Sequence, residues 1–315
     1  MRYYSLACAL IAIAGALNCA DVAYAGPKVG LLTKSNSPFW VAAEKGAQRA
    51  GAEFGVEVIA KSPLNEGDVA IQIQQLNALV AQGVDAIVIA PSSRDTLIAP
   101  LTAAAAKGIR IVLFDTQLEG DQPYVFVGTD QRRSGQVAGE LLSSLVEPGA
   151  PIGFLKYNQT SGATLQRELG AFERLRELRE GFALCGSMFI GVEKGAEAER
   201  TAAFFDQHPE VRGVLASSTA ATLEALEAIK DRKLAGTVKC VGFGFNLTAD
   251  VAEAIEQDVL QGWVAQLPGL MGHDAVKAAV ALCKGEAVPK TVTTDFIVVT
   301  KTNLKEPQVQ ALLEQ

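Results

Sequence analysis

The sequence predicts an α/β protein of two doubly wound parallel-sheet lobes. Three observations carry that prediction. Short strands, apolar throughout, alternate with amphipathic helices from Lys28 onward; the alternation restarts at Pro151; and two further strands near the C-terminus are suited to return the chain between lobes. Strands that are apolar on both faces and separated by helices belong to parallel sheets covered on each side. The chain has 315 residues, long enough for two such cores.

Lys28 to Thr33 reads as the first buried strand. Pro38 opens a helix to about Phe54, with Val41, Ala42, Gly46, Ala50 and Phe54 near helical spacing. Strands at Val56–Ala60, Asp85–Ala90 and Arg110–Phe114 follow, separated by helices over Val69–Gln82 and about Arg94–Lys107. Tyr124 to Asp130 reads as a crossing strand between the two series. The second series has strands at Pro151–Lys156, Leu184–Ile190, Gly213–Ala216 and Val238–Phe243, and helices near Leu165–Glu180, Ala196–Gln207 and Ala220–Arg232. Gly262–Gln266 and Asp295–Val299 are the returning strands. Ligands of such sheets sit beyond the carboxyl ends of the strands, so two facing lobes create a cleft lined by strand-to-helix loops.

The first residues carry an export signature. Arg2 supplies a positive start, Leu6 to Leu17 is an apolar run too short to span a bilayer, and Ala23-Tyr24-Ala25 is a small-x-small cleavage sequence. Cleavage is expected before Gly26, giving residues 1–25 as a signal peptide and the periplasm as the destination. Acylation at Cys19 is the other route, with Ala16-Leu17-Asn18 a poor match to the small residues it prefers. No later run is long enough for a membrane helix, so no stable membrane insertion is expected. With 49% hydrophobic and 20% charged residues the composition is globular. A net charge of -7 without basic clusters argues against nucleic acid as a partner. Beyond residue 25 only Cys185, Cys240 and Cys283 remain, too few for a disulfide framework and without zinc-ligand spacing. They read as free thiols, with one bridge allowed in an oxidising compartment.

The loop after the first strand, Thr33-Lys34-Ser35-Asn36-Ser37-Pro38-Phe39-Trp40, brings hydroxyls, an amide, a cation and two aromatics to a helix start. Aromatic faces bind the apolar face of a sugar-like ring while hydroxyls and amides satisfy its polar edge. Ser37 capping the helix, with Pro38 at its first position, is the structural alternative. Asp115 directly follows the fourth strand, where a carboxylate can accept two charge-assisted hydrogen bonds from vicinal hydroxyls; an ordinary turn aspartate is the alternative. Gln266 can both donate and accept at its strand end. Catalysis finds little support. His208 and His273 read as surface or packing residues, and no nucleophile elbow, phosphate loop, cofactor motif or metal spacing is present. Gly242-Phe243-Gly244 lacks the third glycine of a dinucleotide fingerprint.

From about Lys28 to Lys301 the chain resembles the periplasmic binding proteins of the ribose type, receptors of ABC importers. Ser37-Pro-Phe-Trp40 resembles that family's Asn-Pro-Phe-Phe segment, and Gly83 to Pro91 and Ala106 to Val112 resemble its third and fourth strand units. His208-Pro209, Val241-Gly-Phe243 and Ala265-Gln-Leu-Pro268 follow in the family's order. The resemblance implies a type I fold with three crossovers, near Thr129-Asp130, Gln266 and Asp295. The first lobe would comprise residues 26–129 and 267–294, and the second 130–266 and 295–315. It also implies that Phe39 and Trp40 stack on the ligand while Asp115 and Gln266 hydrogen-bond it.

Other positions depart from the ribose pattern. Thr116 stands where sugar binders of this type usually have Arg, Gly244 replaces a usual Asp, and Ser218 stands where Asn is common. Gln166 and Arg167 occupy the helix that normally supplies a second cleft Arg, in a register that can slip by a residue or two. Lys34, Gly244 and Gln166 look more like the rhamnose and autoinducer-2 receptors, in which a first-loop Lys and an Asp after strand four contact the ligand; a solvated surface cation is the alternative for Lys34. Ser37, Thr116, Ser218 and Asn246 complete the expected ligand-facing set. The resemblance therefore implies a non-enzymatic, monomeric receptor that binds a small sugar, deoxysugar or polyol by hinge closure. Its partner would be an importer permease, engaged transiently, and no cofactor or metal is expected. A furanosyl compound of the autoinducer-2 kind, or a sensing role beside a chemoreceptor or histidine kinase, is the alternative. A DNA-binding regulator of the same fold would carry a helix-turn-helix where the export signature stands.

Overall fold

The computed structural model of the protein describes residues 26–157, 159, 161–191 and 195–314; the predicted leader, residues 1–25, lies outside them. The chain runs β1 (Lys28–Leu32), α1 (Pro38–Phe54), β2 (Glu57–Lys61), α2 (Val69–Ala81), β3 (Ala86–Ile89), α3 (Ile98–Ala105), β4 (Arg110–Phe114) and β5 (Val125–Thr129). A second series follows with α4 (Gln131–Leu145), β6 (Ile152–Lys156), α5 (Gly162–Leu178), β7 (Gly186–Phe189), α6 (Glu197–Gln207) and β8 (Gly213–Ala216). It continues through α7 (Thr219–Asp231), β9 (Lys239–Gly244), α8 (Ala249–Glu256) and β10 (Gly262–Gln266). The closing elements are α9 (Pro268–Cys283), β11 (Thr291–Thr294), β12 (Phe296–Val299), a short helix α10 (Pro307–Gln310) and a 3-10 turn (Ala311–Glu314).

These strands form two six-stranded sheets, ordered β2-β1-β3-β4-β5-β11 and β7-β6-β8-β9-β10-β12. Each neighbouring pair is parallel except β10 with β12, which is antiparallel. Apolar residues on both faces of a strand require cover on both sides, and the first lobe supplies it. Ala86 and Val88 of β3 face a layer with Trp40, Ala47 and Met271, while Ile87 and Ile89 face one with Leu76, Leu79 and Leu101. The second sheet is covered in the same way by two apolar clusters. The strand order reverses between β1 and β3 and between β6 and β8, so both switch points put their loops at the carboxyl ends that line the cleft.

The two-lobed α/β class is as predicted, with three differences in its parts. The stretch expected to cross between lobes, Tyr124 to Asp130, is instead a full member of the first sheet as β5, paired with β4 and β11. Crossing happens at single residues, at or next to the three crossovers that the resemblance implies: Asp130 between β5 and α4, Leu267 between β10 and α9, and Asp295 between β11 and β12. Helices α4, α8 and α10 and strand β11 are additional. Strand β11 is a polar edge strand, Thr291-Val-Thr-Thr294, that offers no apolar run to detect.

The unpredicted α4 matters most for the site. It begins with Gln131-Arg-Arg-Ser134 and carries Gly135 and Gly139, which blur its apolar stripe. Those glycines let α5 lie directly on its backbone. A Cβ at Gly135 would collide with the Arg167 carbonyl, one at Gly139 with Ala171, and one at Gly170 with Arg132. The position of Arg167 is therefore set by backbone-to-backbone packing, the least adjustable kind of contact.

Candidate cleft site

At the end of β4 the chain turns at Asp115, whose φ of 60° lies in the left-handed region that Asp tolerates better than most residues. Its amide still donates to the Val127 carbonyl at 3.0 Å, which holds the turn against β5. The carboxylate accepts from Lys34 Nζ at 3.0 Å and from Thr116 Oγ1 at 2.7 Å, and Lys34 also reaches Thr116 Oγ1 at 2.6 Å. Both charged side chains are less than one-fifth exposed, so the pair is shielded from solvent more than a surface ion pair. Three expected residues, Lys34, Asp115 and Thr116, are thus brought into one cluster on the first lobe.

On the second lobe Arg167 is buried, 5% exposed. Its Nε donates to Gln131 Oε1 at 2.7 Å, one terminal nitrogen donates to the Ser217 carbonyl at 3.0 Å, and the guanidinium lies over the Phe243 ring. Burial pushes its pKa down to about 10, while the carboxylates of Asp115 and Glu168 act to raise it. Asp115 of one lobe is therefore close enough to Arg167 of the other for their charges to couple. Arg167 remains a cation at neutral pH. Beside it, burial raises the Glu168 pKa, opposed by the Ser217 hydroxyl, which donates at 2.7 Å, and by Lys156 and Arg167.

The crossovers tie into the same network. Gln131 passes a hydrogen bond from its Nε2 to Gln266 Oε1 at 2.9 Å, so Arg167, Gln131 and Gln266 form a relay along the lobe junction. Gln266 is 8% exposed at the end of β10. Phe39 meets Phe245 of the other lobe edge to face, with ring centroids 5.3 Å apart.

Two of the expected residues stand apart from this cluster. Trp40 is 3% exposed and belongs to the first lobe's core, packed on Phe39 and Phe114, with its indole nitrogen donating to Glu66. Phe39 alone of that aromatic pair reaches across the cleft. Gln166 is exposed and accepts from Arg132 of α4, so the inward-facing residues of that turn are Arg167 and Glu168. Ser37 stands at the N-cap of α1 without a side-chain cap bond. Ser218 accepts from the Ala221 amide and so caps α7. Asn246 contributes its backbone carbonyl to Trp263 Nε1. The three cysteines beyond residue 25 are free.

A periplasmic binding protein domain matches residues 29–287. The chain belongs to that family. It is similar to a ribose import binding protein of Bacillus subtilis, 26% identical over 264 residues that make up 82% of each chain. Among solved structures it resembles a carbohydrate transporter solute-binding protein of Agrobacterium radiobacter in complex with D-arabinose. The TM-score there is 0.79 at 27% identity, over 92% of this chain and 99% of that one. It also resembles an ABC transporter solute-binding protein of Agrobacterium vitis with bound D-fucose, at a TM-score of 0.79 and 25% identity, over 91% and 99%. Periplasmic binding proteins of this sugar-binding group are receptors of ABC transporters, not enzymes, and work in the periplasm or outside the cell. No described helix is long and apolar enough to cross a membrane.

Within this periplasmic binding protein, four residues of the network were not singled out from sequence: Gln131, Glu168, Ser217 and Phe245. Gln131 had a positional signal, since it directly follows the Asp130 crossover. Phe245 had one in the aromatic repeat Phe243-Gly-Phe245. Glu168 and Ser217 had none, because a buried Glu-Ser pair depends on the register of α5 against β8.

Proposed function

We propose that this protein is the exported receptor of an ABC importer and closes its two lobes on a small sugar, deoxysugar or polyol. The contact of Phe39 with Phe245 across the lobes, beside Asp115 on one lobe and Arg167 on the other, carries this reading. A polyhydroxylated ligand donates hydroxyl hydrogen bonds to a carboxylate and accepts them from a guanidinium, so one molecule can satisfy both lobes at once. Contacts available only with the lobes together populate the closed form. Ribose, D-arabinose and the deoxysugar D-fucose, named for the relatives above, belong to this class. The contact of Lys34 with Asp115 favours a second reading, a furanosyl compound of the autoinducer-2 kind, whose carbonyl-derived oxygens suit an ammonium donor.

The test is a thermal-shift screen of the mature protein against pentoses, hexoses, deoxysugars, polyols and furanosyl compounds. A ligand at a hundred times its Kd stabilises the folded state by about 2.7 kcal/mol, a readily measured shift. Small-angle scattering with the best ligand should then show a smaller radius of gyration. No shift with any of these classes would overturn the ligand reading, and an unchanged radius at saturation would overturn closure.

A further inference from the structure

Outside the cleft, one group of metal-ligating side chains among the described residues stands close together. Cys185, His208 and Glu210 each offer a ligand atom within 4.8 Å of the other two. The fold gathers them from two segments: Cys185 directly precedes the edge strand β7, while His208, the C-cap of α6, and Glu210 stand two residues apart in the turn before β8. All three lie toward the amino ends of those strands, opposite the carboxyl ends that line the cleft. His208 Nδ1 is 3.5 Å from Glu210 Oε1, close to the separation of two ligand atoms bound at about 2.0–2.2 Å to one tetrahedral cation.

The surroundings hold this arrangement in place. The amide of Cys185 donates to Ile152, that of His208 to Phe204, and that of Val211 to the His208 carbonyl, each at 3.0 Å. The imidazole rests on Gly186, where any side chain would collide with its Nε2, and against the Phe204 ring, with centroids 5.1 Å apart. Cys185 and His208 are partly buried, whereas Glu210 is exposed and opens one side to solvent.

We propose that Cys185, His208 and Glu210 bind one borderline divalent cation of the zinc type, with solvent water as the fourth ligand. Binding releases the thiol proton to solvent. The thiolate and carboxylate then neutralise the dication, and the imidazole coordinates as a neutral ligand. A thiolate–imidazole pair disfavours calcium and magnesium, which take oxygen ligands. The bound ion would staple the edge strand β7 to the end of α6 and the β8 turn, stabilising the second lobe without entering the sugar cleft.

The test uses metal-free mature protein titrated with Zn²⁺ and, separately, Co²⁺. One equivalent of zinc should bind and raise the melting temperature, and the cobalt complex should show a thiolate-to-metal charge-transfer band. Cys185→Ser should abolish that band. Glu210→Gln, at an exposed position where folding is not at stake, should weaken zinc binding by more than about tenfold, the range already seen when supporting groups of metal sites are lost. Cys283→Ser, in the other lobe, should change neither. Absence of the charge-transfer band in the unmodified protein would overturn the site, as would zinc binding that survives Glu210→Gln unchanged.

Discussion

Replacing Asp115 by Ala tests the cleft most directly. The carboxylate is mostly shielded, it holds Lys34 at 3.0 Å, and its charge couples to Arg167 on the other lobe. Losing a charged partner from a desolvated hydrogen bond costs about 2–5 kcal/mol in binding. That is a loss of affinity from about 30-fold to several-thousand-fold. A second effect has to be separated from it. Asp115 has a left-handed φ, which Ala adopts at a cost of about 1–2 kcal/mol. That strain is present in free and bound protein alike, so it lowers the melting temperature but cancels in Kd. Asp115→Asn tolerates the same backbone and keeps the shape while removing the charge, so it should lose affinity with little loss of stability. Calorimetric titration with the best screened ligand, beside thermal melts of both variants, distinguishes the two effects. Native affinity in both variants would refute the placement of the ligand between Asp115 and Arg167.

Lys34→Ala should weaken binding at least tenfold (about 1.4 kcal/mol) in the same titration if the ammonium contacts ligand; native affinity would limit Lys34 to its ion pair and remove the furanosyl reading. Gly135→Ala should lower the melting temperature, because a Cβ there meets the Arg167 carbonyl. Overpacking of that kind costs about 1–3 kcal/mol, against about 1 kcal/mol gained in helix propensity; since Arg167 rides on α5, ligand affinity should fall too, and a melt and titration unchanged from wild type would contradict the close packing. The His273 pKa is raised chiefly by its hydrogen bond to Glu53, with Asp274 adding to it. The protonated form is thus favoured in the fold, and its stabilisation, fully present below the unfolded value of about 6.5, is lost as pH rises through the raised folded value. The melting-temperature difference between wild type and His273→Gln should shrink with rising pH; parallel curves would refute it. Mass spectrometry of protein exported by a Gram-negative host should find Gly26 at the N-terminus, and a lipidated Cys19 there would replace the soluble product with a tethered one.

Sequence periodicity exposed what burial enforces. Strands β1, β3 and β4 are buried at every position except their leading Lys28 and Arg110 or along their whole length, and their apolar runs were legible for that reason. The polar edge strand β11 and the glycine-marked α4 were not, since neither needs a continuous apolar face. Asp115 was legible because its place follows from the end of a readable strand. Arg167 was legible only to within a residue or two, because the inward face of α5 is fixed by backbone contacts with a helix the sequence did not reveal. The Cys185–His208–Glu210 group was invisible for a related reason. Cys185 is distant along the chain from His208 and Glu210, and only the β6–β7 and β6–β8 pairings bring the two segments side by side.

The single-residue crossovers bear on how much of the binding energy survives as affinity. Asp130 and Leu267 are also the N-caps of α4 and α9, and Asp130 is further held by the Arg133 amide at 2.9 Å. Each lobe therefore ends in regular structure on both sides of every pivot, with no slack loop to be ordered when the lobes come together. Fixing one backbone residue costs about 1–2 kcal/mol, and here only three residues stand between the lobes. On the proposed closure, most of the entropy of that motion is forfeited when the chain folds rather than when ligand arrives, so even a weakly interacting ligand would suffice to hold the lobes shut.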